Sequence, residues 1–435
     1  MKDLYSLINE KNSLPKGRIY KKTIKGHLYY YHQYSINGEK FTKKINDNEL
    51  DALRRDINHR LELEEEIKNI LKANNRNFSL SENARNMTGY VMSEDVVVAE
   101  FDHANLVYID EDLCPLMIKR TRKLEPFLKV RAIDSGRTNS RLLKKALNIH
   151  ESDDELVSLC SYGASISDNY WFKPKHSKLR YQDVSFSSDA FFDISLKGLI
   201  SIYPNKIVLT PELTTGGSFE KGWKNINGEW WLYKAGTKKE IFSELFYSTL
   251  FELIDLPTAH YEYEDGYIKS KNFAQEYNFE PMVSIAGDNE SYEYIYSLLK
   301  EINMDIAQDY LRLCFFDVVL NNVDRHNENV GLLRDKKTGK IVSLAPNYDN
   351  NLSLISRDDS LSSSVEEGFL KQFIKLLKAH EEIRTALKNI NIPSLNREIL
   401  EQCYNKVNIN ADVNKDKLFD YILLRYNTIL KSINK

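Results

Sequence analysis

The chain has 435 residues, a formal net charge of -3 and a hydrophobic content of 42%. This length exceeds what one hydrophobic core usually supports, so we expect two or three packed domains. The near-zero net charge excludes a general attraction to nucleic acid or membranes, and no apolar run approaches the roughly 18 residues that a transmembrane helix requires. The cysteines are scattered, without a C-x-x-C pair, which is typical of reduced thiols and predicts a cytoplasmic protein.

The first 75 residues are predicted to form a basic N-terminal module. Aromatic residues alternate with lysines around Tyr20, Leu28–Tyr31 and Phe41, which indicates strands, and Asn37-Gly38 predicts a tight hairpin turn. A helix is expected over residues 48–73 from its apolar spacing. Basic residues interleaved with tyrosines suit weak nucleic-acid contact, although a solvated sheet with lysine-rich edges is the commoner explanation.

An Asn- and Ser-rich stretch over residues 74–83 indicates a linker. The region beyond it contains strand-like runs and a short helix but no motif with a chemical role. Trp171 is interpreted as a core aromatic and the surrounding segment as scaffold.

Small residues form a glycine loop, defined as residues 214–218, between strands predicted at Lys206–Leu209 and Glu229–Lys234. Such a loop can present backbone N–H groups to phosphates, although glycine turns are common in any protein. Lys234 ends the second strand, and a helix carrying Glu240 and Glu244 follows.

A run that is apolar on nearly every face, residues 311–320, predicts a helix buried on all sides. The polar segment Asn321–Asn329 follows it directly. Two short strands, Val330–Leu333 and Ile341–Leu344, are expected to form a hairpin that returns Asp349 towards this segment.

The hairpin would bring Asp349 beside Asp324 and Asn329, and their oxygens are of the kind that Mg²⁺ prefers. An acid, an amide five residues later and a second acid beyond a hairpin are also what phosphoryl transfer requires. The alternative is a polar loop that only caps the buried helix.

The chain resembles the HipA-like serine/threonine kinases, bacterial relatives of the protein and phosphoinositide kinases. The resemblance is carried by D-R-H-x-x-N at residues 324–329, by A-P-x-Y-D at residues 345–349 and by Lys234. It implies an α+β, two-lobed kinase-like fold with an extra β-hairpin-plus-helix module at the N-terminus. The implied divisions are 1–75 for this module, 76–195 for a region preceding the kinase core, 196–275 for a β-rich N-lobe and 276–435 for a helical C-lobe.

The resemblance also implies roles for individual residues. Asp324 would be the catalytic base, Lys234 would bind phosphates, and Glu244 rather than Glu240 would orient Lys234, because the second of two such glutamates faces inward in the family. His326 would brace the catalytic loop, and the segment Tyr267–Phe273 would be the hinge that holds adenine. Mg²⁺ ligands are expected at Asn329 and Asp349, and ATP contacts at Gly216, Gly217, Ser218, Lys234, Lys271, Phe273 and His326.

The implied activity is transfer of the ATP γ-phosphate to a serine or threonine of a protein. The implied setting is a toxin–antitoxin or phage-defence kinase that arrests growth by modifying a translation component, with a small antitoxin as partner. Two alternatives stay open: a kinase-fold transferase that moves AMP, and an inactive scaffold. Tyr348-Asp349-Asn350 replaces D-F-G, so the activation-segment rules of eukaryotic kinases do not carry over.

The glycine loop offers three hydroxyl groups, at Thr214, Thr215 and Ser218. A phosphate on one of them would place negative charge where the γ-phosphate of ATP must bind. Because HipA-like kinases inactivate themselves in this way, we expect autophosphorylation here, with Ser218 as the preferred site. Residues that merely suit a turn are the alternative.

Overall fold

The computed structural model describes residues 7, 10–11, 13–24, 26–36, 39–73, 81–102, 105–147, 149–198, 209–356, 361, 368–407 and 409–434. The chain divides into two compact units, residues 1–78 with 200–208 and residues 79–199 with 209–435. Antiparallel sheets and helices occur in both, which confirms the predicted α+β class. The Asn37-Gly38 turn, most of the linker and most of the strand predicted at Lys206–Leu209 lie outside the described residues.

The first unit contains a three-stranded sheet in the order β1-β2-β3 and one long helix. Its register pairs Tyr20 with Tyr31 and Tyr34 with Phe41, and the rings of both pairs stack. The bounds are β1 (Arg18–Ile24), β2 (His27–Ile36), β3 (Glu39–Ile45) and α1 (Asp47–Ala73).

The second unit begins with a four-stranded sheet in the order β6-β5-β4-β7, packed against short helices. Trp171, on the edge strand β7, is fully buried and donates its indole N–H to the Glu94 carbonyl oxygen at 2.6 Å. The strands are β4 (Gly89–Ser93), β5 (Val96–Asp102), β6 (Asn105–Tyr108) and β7 (Tyr170–Pro174). The helices are α2 (Glu82–Arg85), α3 (Leu116–Thr121), α4 (Leu124–Lys129), α5 (Ser140–Ala146), α6 (Asp154–Leu159), α7 (Tyr181–Val184) and α8 (Phe192–Lys197).

A second four-stranded sheet has the order β10-β11-β9-β8. Strand β8 of this sheet was not predicted from the sequence, although Asn227-Gly228 is a strong hairpin signal and both residues adopt the positive φ that such a turn requires. The glycine loop therefore leads into β8, and β9 follows only after the hairpin. The bounds are β8 (Lys221–Ile226), β9 (Glu229–Lys234), α9 (Lys238–Leu253), β10 (Tyr261–Glu264) and β11 (Tyr267–Lys271).

The remainder of the second unit combines a three-stranded sheet, in the order β12-β13-β14, with a helical core. The predicted buried helix is confirmed as α12, whose side chains are buried on several faces. Among the described helices, none is long and apolar enough to span a membrane. The strands are β12 (Tyr277–Pro281), β13 (Gly331–Asp335) and β14 (Ile341–Leu344). The helices are α10 (Val283–Ala286), α11 (Tyr292–Ile302), α12 (Met304–Val319), α13 (Gly368–Ala379), α14 (Glu381–Asn389), α15 (Arg397–Val407) and α16 (Lys415–Ile433).

Candidate active site

A cleft in the second unit has a volume of about 520 Å³. Its walls come from the glycine loop, the end of β9, the end of β11, the 324–329 loop and the segment after β14. All the residues predicted for the site line this cleft except Glu244. The volume is in the range of roughly 300–1,000 Å³ that is usual for small-molecule and cofactor sites.

We call Lys234, Glu244 and Asp349 the cleft triad. The ammonium of Lys234 donates to Glu244 Oε2 at 3.3 Å and to Asp349 Oδ1. Glu244 is completely buried on α9, and its other oxygen accepts the Asn350 N–H at 2.7 Å. Burial by itself would lower the pKa of Lys234, but the Asp349 and Glu244 carboxylates outweigh it and raise that pKa. The lysine therefore stays protonated over the physiological pH range.

The same helix explains why Glu244 and not Glu240 contacts Lys234. Thr237 is the N-cap of α9 and accepts the Glu240 N–H, while the Glu240 carboxylate accepts the Thr237 N–H at 2.7 Å. Glu240 is thus used in a capping box. Glu244 lies one turn further along α9, on its buried side.

A second pair, Arg325 and Asp317, which we call the loop anchor, fixes the backbone around the cleft. The Arg325 guanidinium forms a bidentate ion pair with Asp317 through two 3.0 Å contacts. It also donates to the carbonyl oxygens of Asn329 at 2.6 Å and Tyr348 at 2.8 Å. The sequence analysis assigned no role to either residue. The available signal was an acid within the apolar run of a helix predicted to be buried.

The 324–329 loop places Asp324, His326 and Asn329 at the cleft. The Asn329 side-chain N–H donates to the Asp324 carbonyl oxygen at 3.0 Å, which leaves the amide oxygen of Asn329 as its remaining ligand atom. His326 Nδ1 accepts the Glu328 N–H at 3.2 Å. This bond agrees with the expected bracing role of His326, since it ties the ring to the backbone of its own loop.

The three hydroxyl-bearing residues of the glycine loop have different surroundings. Thr214 is buried. The Thr215 hydroxyl donates to the Pro211 carbonyl oxygen at 2.7 Å and accepts the Trp223 indole N–H at 2.9 Å. Ser218 is exposed, next to Gly217 with its φ of +88°. Of the three side chains, Ser218 is thus the most accessible.

The expected hinge residues are placed differently from one another. Lys271 ends β11 and its ammonium pairs with Glu229 Oε1 at 2.5 Å, so that this side chain is committed within the sheet. Phe273 packs in an aromatic cluster with Phe279 and Tyr348, whose ring centroids lie 5.6–5.7 Å from one another. This cluster supplies an apolar surface next to Asp349, which suits a nucleotide base.

The segment Ser165–Asp168 also lines the cleft, although the sequence analysis treated it as scaffold only. The Asn272 side chain donates to the Ile166 carbonyl oxygen at 3.0 Å, and the Phe279 N–H donates to the Ser167 carbonyl oxygen at 2.9 Å. The region before the expected kinase core therefore forms part of the cleft wall.

No group of three or more His, Cys, Asp or Glu side chains is arranged to hold a metal in the described part of the chain. Mg²⁺ is typically bound by one or two carboxylates, with phosphates and waters supplying the other ligands. Asp349 and the amide oxygen of Asn329 fit that limited role, since both residues face the cleft.

Residues 205–411 match the family model of the HipA-like C-terminal domain. This part of the chain, which includes the glycine loop, the cleft triad and the loop anchor, therefore resembles the HipA-like C-terminal domain. A comparison with curated proteins found no match.

Two solved structures resemble the chain at low sequence identity. The proinflammatory kinase CtkA of Helicobacter pylori is 16% identical, with 49% of this chain and 92% of that chain covered and a TM-score of 0.35. HipA of Shewanella oneidensis MR-1, solved with HipB and its operator DNA, is 12% identical, with 79% and 97% covered and a TM-score of 0.49. Because both TM-scores are low, the resemblance to HipA-like proteins rests on the domain match.

Proposed function

We propose that the protein is a serine/threonine protein kinase that uses ATP and Mg²⁺. The observation that carries this proposal is the placement of Lys234, Asp324, Asn329 and Asp349 along one cleft, with Glu244 behind Lys234. Phosphoryl transfer depends mainly on positioning and electrostatic stabilisation, and these residues provide a base, a cation and metal ligands. The proposal keeps the lobe boundaries at 196–275 and 276–435, preceded by residues 76–195 and by the N-terminal module 1–75.

In the proposed reaction, Asp324 accepts the proton of the substrate hydroxyl while the hydroxyl oxygen bonds to the γ-phosphorus. The bond from that phosphorus to the β–γ bridging oxygen breaks, and the electron pair leaves with ADP. Lys234, oriented by Glu244, stabilises charge on the phosphate oxygens. A Mg²⁺ ion held by Asn329 and Asp349 would supply neutralisation of that charge.

The test is transfer of label from ATP to protein, with the label on the γ- or the α-phosphorus. The full chain should transfer γ-label only, and Asp324→Asn should transfer neither while unfolding at the same temperature. Transfer of α-label would instead support AMP transfer. No transfer of either label to lysate proteins, in the presence of Mg²⁺, would favour an inactive scaffold.

The proposal includes autophosphorylation of Ser218. Exposure supports this serine over Thr214 and Thr215, because a kinase can modify only a hydroxyl that reaches its cleft. Mass spectrometry of protein made in cells should find phosphate on Ser218 in the wild type and none in Asp324→Asn. An unmodified loop in an active wild type would refute the modification and leave the kinase proposal standing.

For partners, we propose a translation component as substrate in the cytoplasm, and a toxin–antitoxin or phage-defence setting with a small antitoxin. The Shewanella HipA structure contains HipB and operator DNA, which supports looking for such a partner here. Phosphoproteomics after brief induction, comparing wild type with Asp324→Asn, would identify the substrate. Affinity purification of the full chain from its own cells would test for the antitoxin.

Weak nucleic-acid contact is proposed for the N-terminal module. Its described sheet carries exposed lysines beside stacked tyrosines, and the Lys44 ammonium lies 4.0 Å from the centre of the Tyr29 ring. Lys21→Glu with Lys22→Glu should weaken binding of the full chain to duplex DNA, and more so at low salt. Salt-independent binding would contradict this contact.

A further inference from the structure

A second lysine lies in the cleft, and the proposed reaction does not use it. Lys221 is the first residue of β8, and the sheet register places it opposite Lys234 on β9. It lines the cleft, yet only 6% of the residue is exposed. In the described part of the chain, its ammonium takes part in no hydrogen bond or ion pair.

This ammonium lies directly against the glycine loop. A Cβ atom added at Gly217 would overlap Lys221 Nζ, so the absence of a side chain at Gly217 is what leaves room for the ammonium. The loop that would cover phosphates thus has a cation immediately beneath it.

The backbone that carries Lys221 is held from outside the loop. Its carbonyl oxygen accepts the Ser195 hydroxyl at 2.7 Å and also the Arg137 guanidinium. Arg137 is buried and reaches the Thr215 carbonyl oxygen at 3.4 Å as well. Because one guanidinium contacts Thr215 within the loop and Lys221 beyond it, the position of the Lys221 backbone is fixed before any ligand arrives.

Among the described residues, the Lys221 ammonium is held by no ion pair, although nearby charges act on it. Burial, together with Lys234 and Arg137, lowers the pKa of Lys221 to about 8, with Asp349 and Glu244 opposing the change. At neutral pH the ammonium is therefore mostly charged. A buried charge without a partner is costly, so the site favours an anion.

The cleft triad alone would repel a polyphosphate. Lys234 carries one positive charge, whereas Glu244 and Asp349 carry one negative charge each, and Asp324 adds another nearby. A metal ion bound with the nucleotide would offset part of this negative charge. Lys221 is a protein cation in the same cleft that forms no ion pair with a carboxylate of the described residues.

We propose that Lys221 is a second phosphate-binding residue, whose ammonium beneath Gly217 binds a phosphate group of the nucleotide lying under the glycine loop. This inference rests on the proposed use of ATP and deepens it. In this proposal, Lys234 and Lys221 have different roles in binding the phosphates. The Lys234 ammonium is oriented by its carboxylate partners, whereas Lys221 supplies a positive charge that no ion pair among the described residues holds.

Isothermal titration calorimetry of the full chain with MgATP and with adenosine tests this role. Lys221→Met should weaken MgATP binding about 10- to 100-fold, the usual effect of losing a hydrogen bond to a charged group. Adenosine affinity should not change, because adenosine lacks phosphates. The matched control is Lys224→Met on the same strand, whose ammonium lies 5.5 Å from the centre of the Phe192 ring and outside the cleft lining. It should bind both ligands like the wild type.

Unaltered MgATP affinity in Lys221→Met, or an equal loss for adenosine, would overturn the assignment. If the wild type itself bound no MgATP, the proposed function would fall with it. If the wild type bound and transferred phosphate while Lys221→Met matched it, only the role of Lys221 would fall. Should Lys221→Met not fold, Lys221→Gln provides the same comparison, since it removes the charge and keeps a polar side chain at this buried position.

Discussion

The loop anchor and the cleft triad are both buried clusters of opposite charges, but their carboxylates face different surroundings. In the anchor, Asp317 is completely buried and accepts hydrogen bonds from Arg325, Tyr247 and Asn322 at 2.9–3.0 Å. In the triad, the side chain of Asp349 remains 28% exposed towards the cleft. One cluster is closed by protein donors on every side, and the other keeps a carboxylate within reach of a ligand.

Within one short motif, one residue stabilises the fold and its neighbour faces the cleft of the proposed reaction. Arg325 and Asp324 are neighbours in the sequence, yet Arg325 points into the anchor while Asp324 lines the cleft. A satisfied, buried ion pair contributes rigidity, and its disruption leaves an unpaired charge. An accessible carboxylate contributes little to folding but can bind a metal or accept a proton. Substitutions in the two clusters should therefore separate stability from activity.

The largest effect is expected from Asp317→Ala. Loss of this carboxylate leaves the buried Arg325 guanidinium without its counter-ion, which should lower the free energy of unfolding by about 3–5 kcal/mol. Urea denaturation measures it. The control is Asp309→Ala on the same helix, where a 40% exposed side chain pairs with Arg312 and a change below about 1 kcal/mol is expected. Equal losses in the two variants would contradict the distinction between anchor and surface pair.

Lys234→Met should lower activity much more than stability, the reverse of what is expected for Asp317→Ala. Phosphate transfer should fall by about 100- to 1,000-fold, as expected when a charge that stabilises the transition state is removed. Stability should change less than in Asp317→Ala, because Glu244 keeps its bond from the Asn350 N–H and Asp349 is partly exposed towards the cleft. Lys238→Met, an exposed residue at the start of α9, is the control. A normal transfer rate in Lys234→Met would remove the lysine from the reaction.

Asp349→Asn should change the metal requirement rather than folding. Asp349 has a φ of +57°, a left-handed conformation that asparagine tolerates and most residues do not, so the substitution removes charge without adding backbone strain. The Mg²⁺ concentration for half-maximal transfer should rise at least about 10-fold, and EDTA should abolish transfer by the wild type. A wild-type Mg²⁺ dependence in this variant would place the metal elsewhere.

Tyr247→Phe should give the smallest effect. It removes one 2.9 Å hydrogen bond to Asp317 while the bidentate pair with Arg325 remains. We expect a loss of about 1.5 kcal/mol in the free energy of unfolding, with transfer within about twofold of the wild type. A large loss of activity with little loss of stability would show that the anchor takes a direct part in the reaction.

The sequence predicted much of the fold where patterns are local. The apolar run at residues 311–320 forms the last turns of α12 and its C-cap, and the expected hairpin after it was found as β13 and β14. The strand Glu229–Lys234 has the predicted bounds. The missed strand β8 is a different case, because its alternation is weak and its clearest signal lies in the turn after it.

For the site, sequence alone predicted candidate residues that the structure brings to one cleft, and the order in which they occur. The spacing of Asp324 and Asn329 and the strand-end position of Lys234 were sufficient for that, because they belong to short segments with a fixed local geometry. Only the tertiary structure decided the pairing of Arg325 with Asp317, the burial of Lys221 and the presence of Ile166 at the cleft wall. Whether a lysine is solvated or buried without a partner depends on how segments distant in the chain pack around it, and no local pattern of residues encodes that packing.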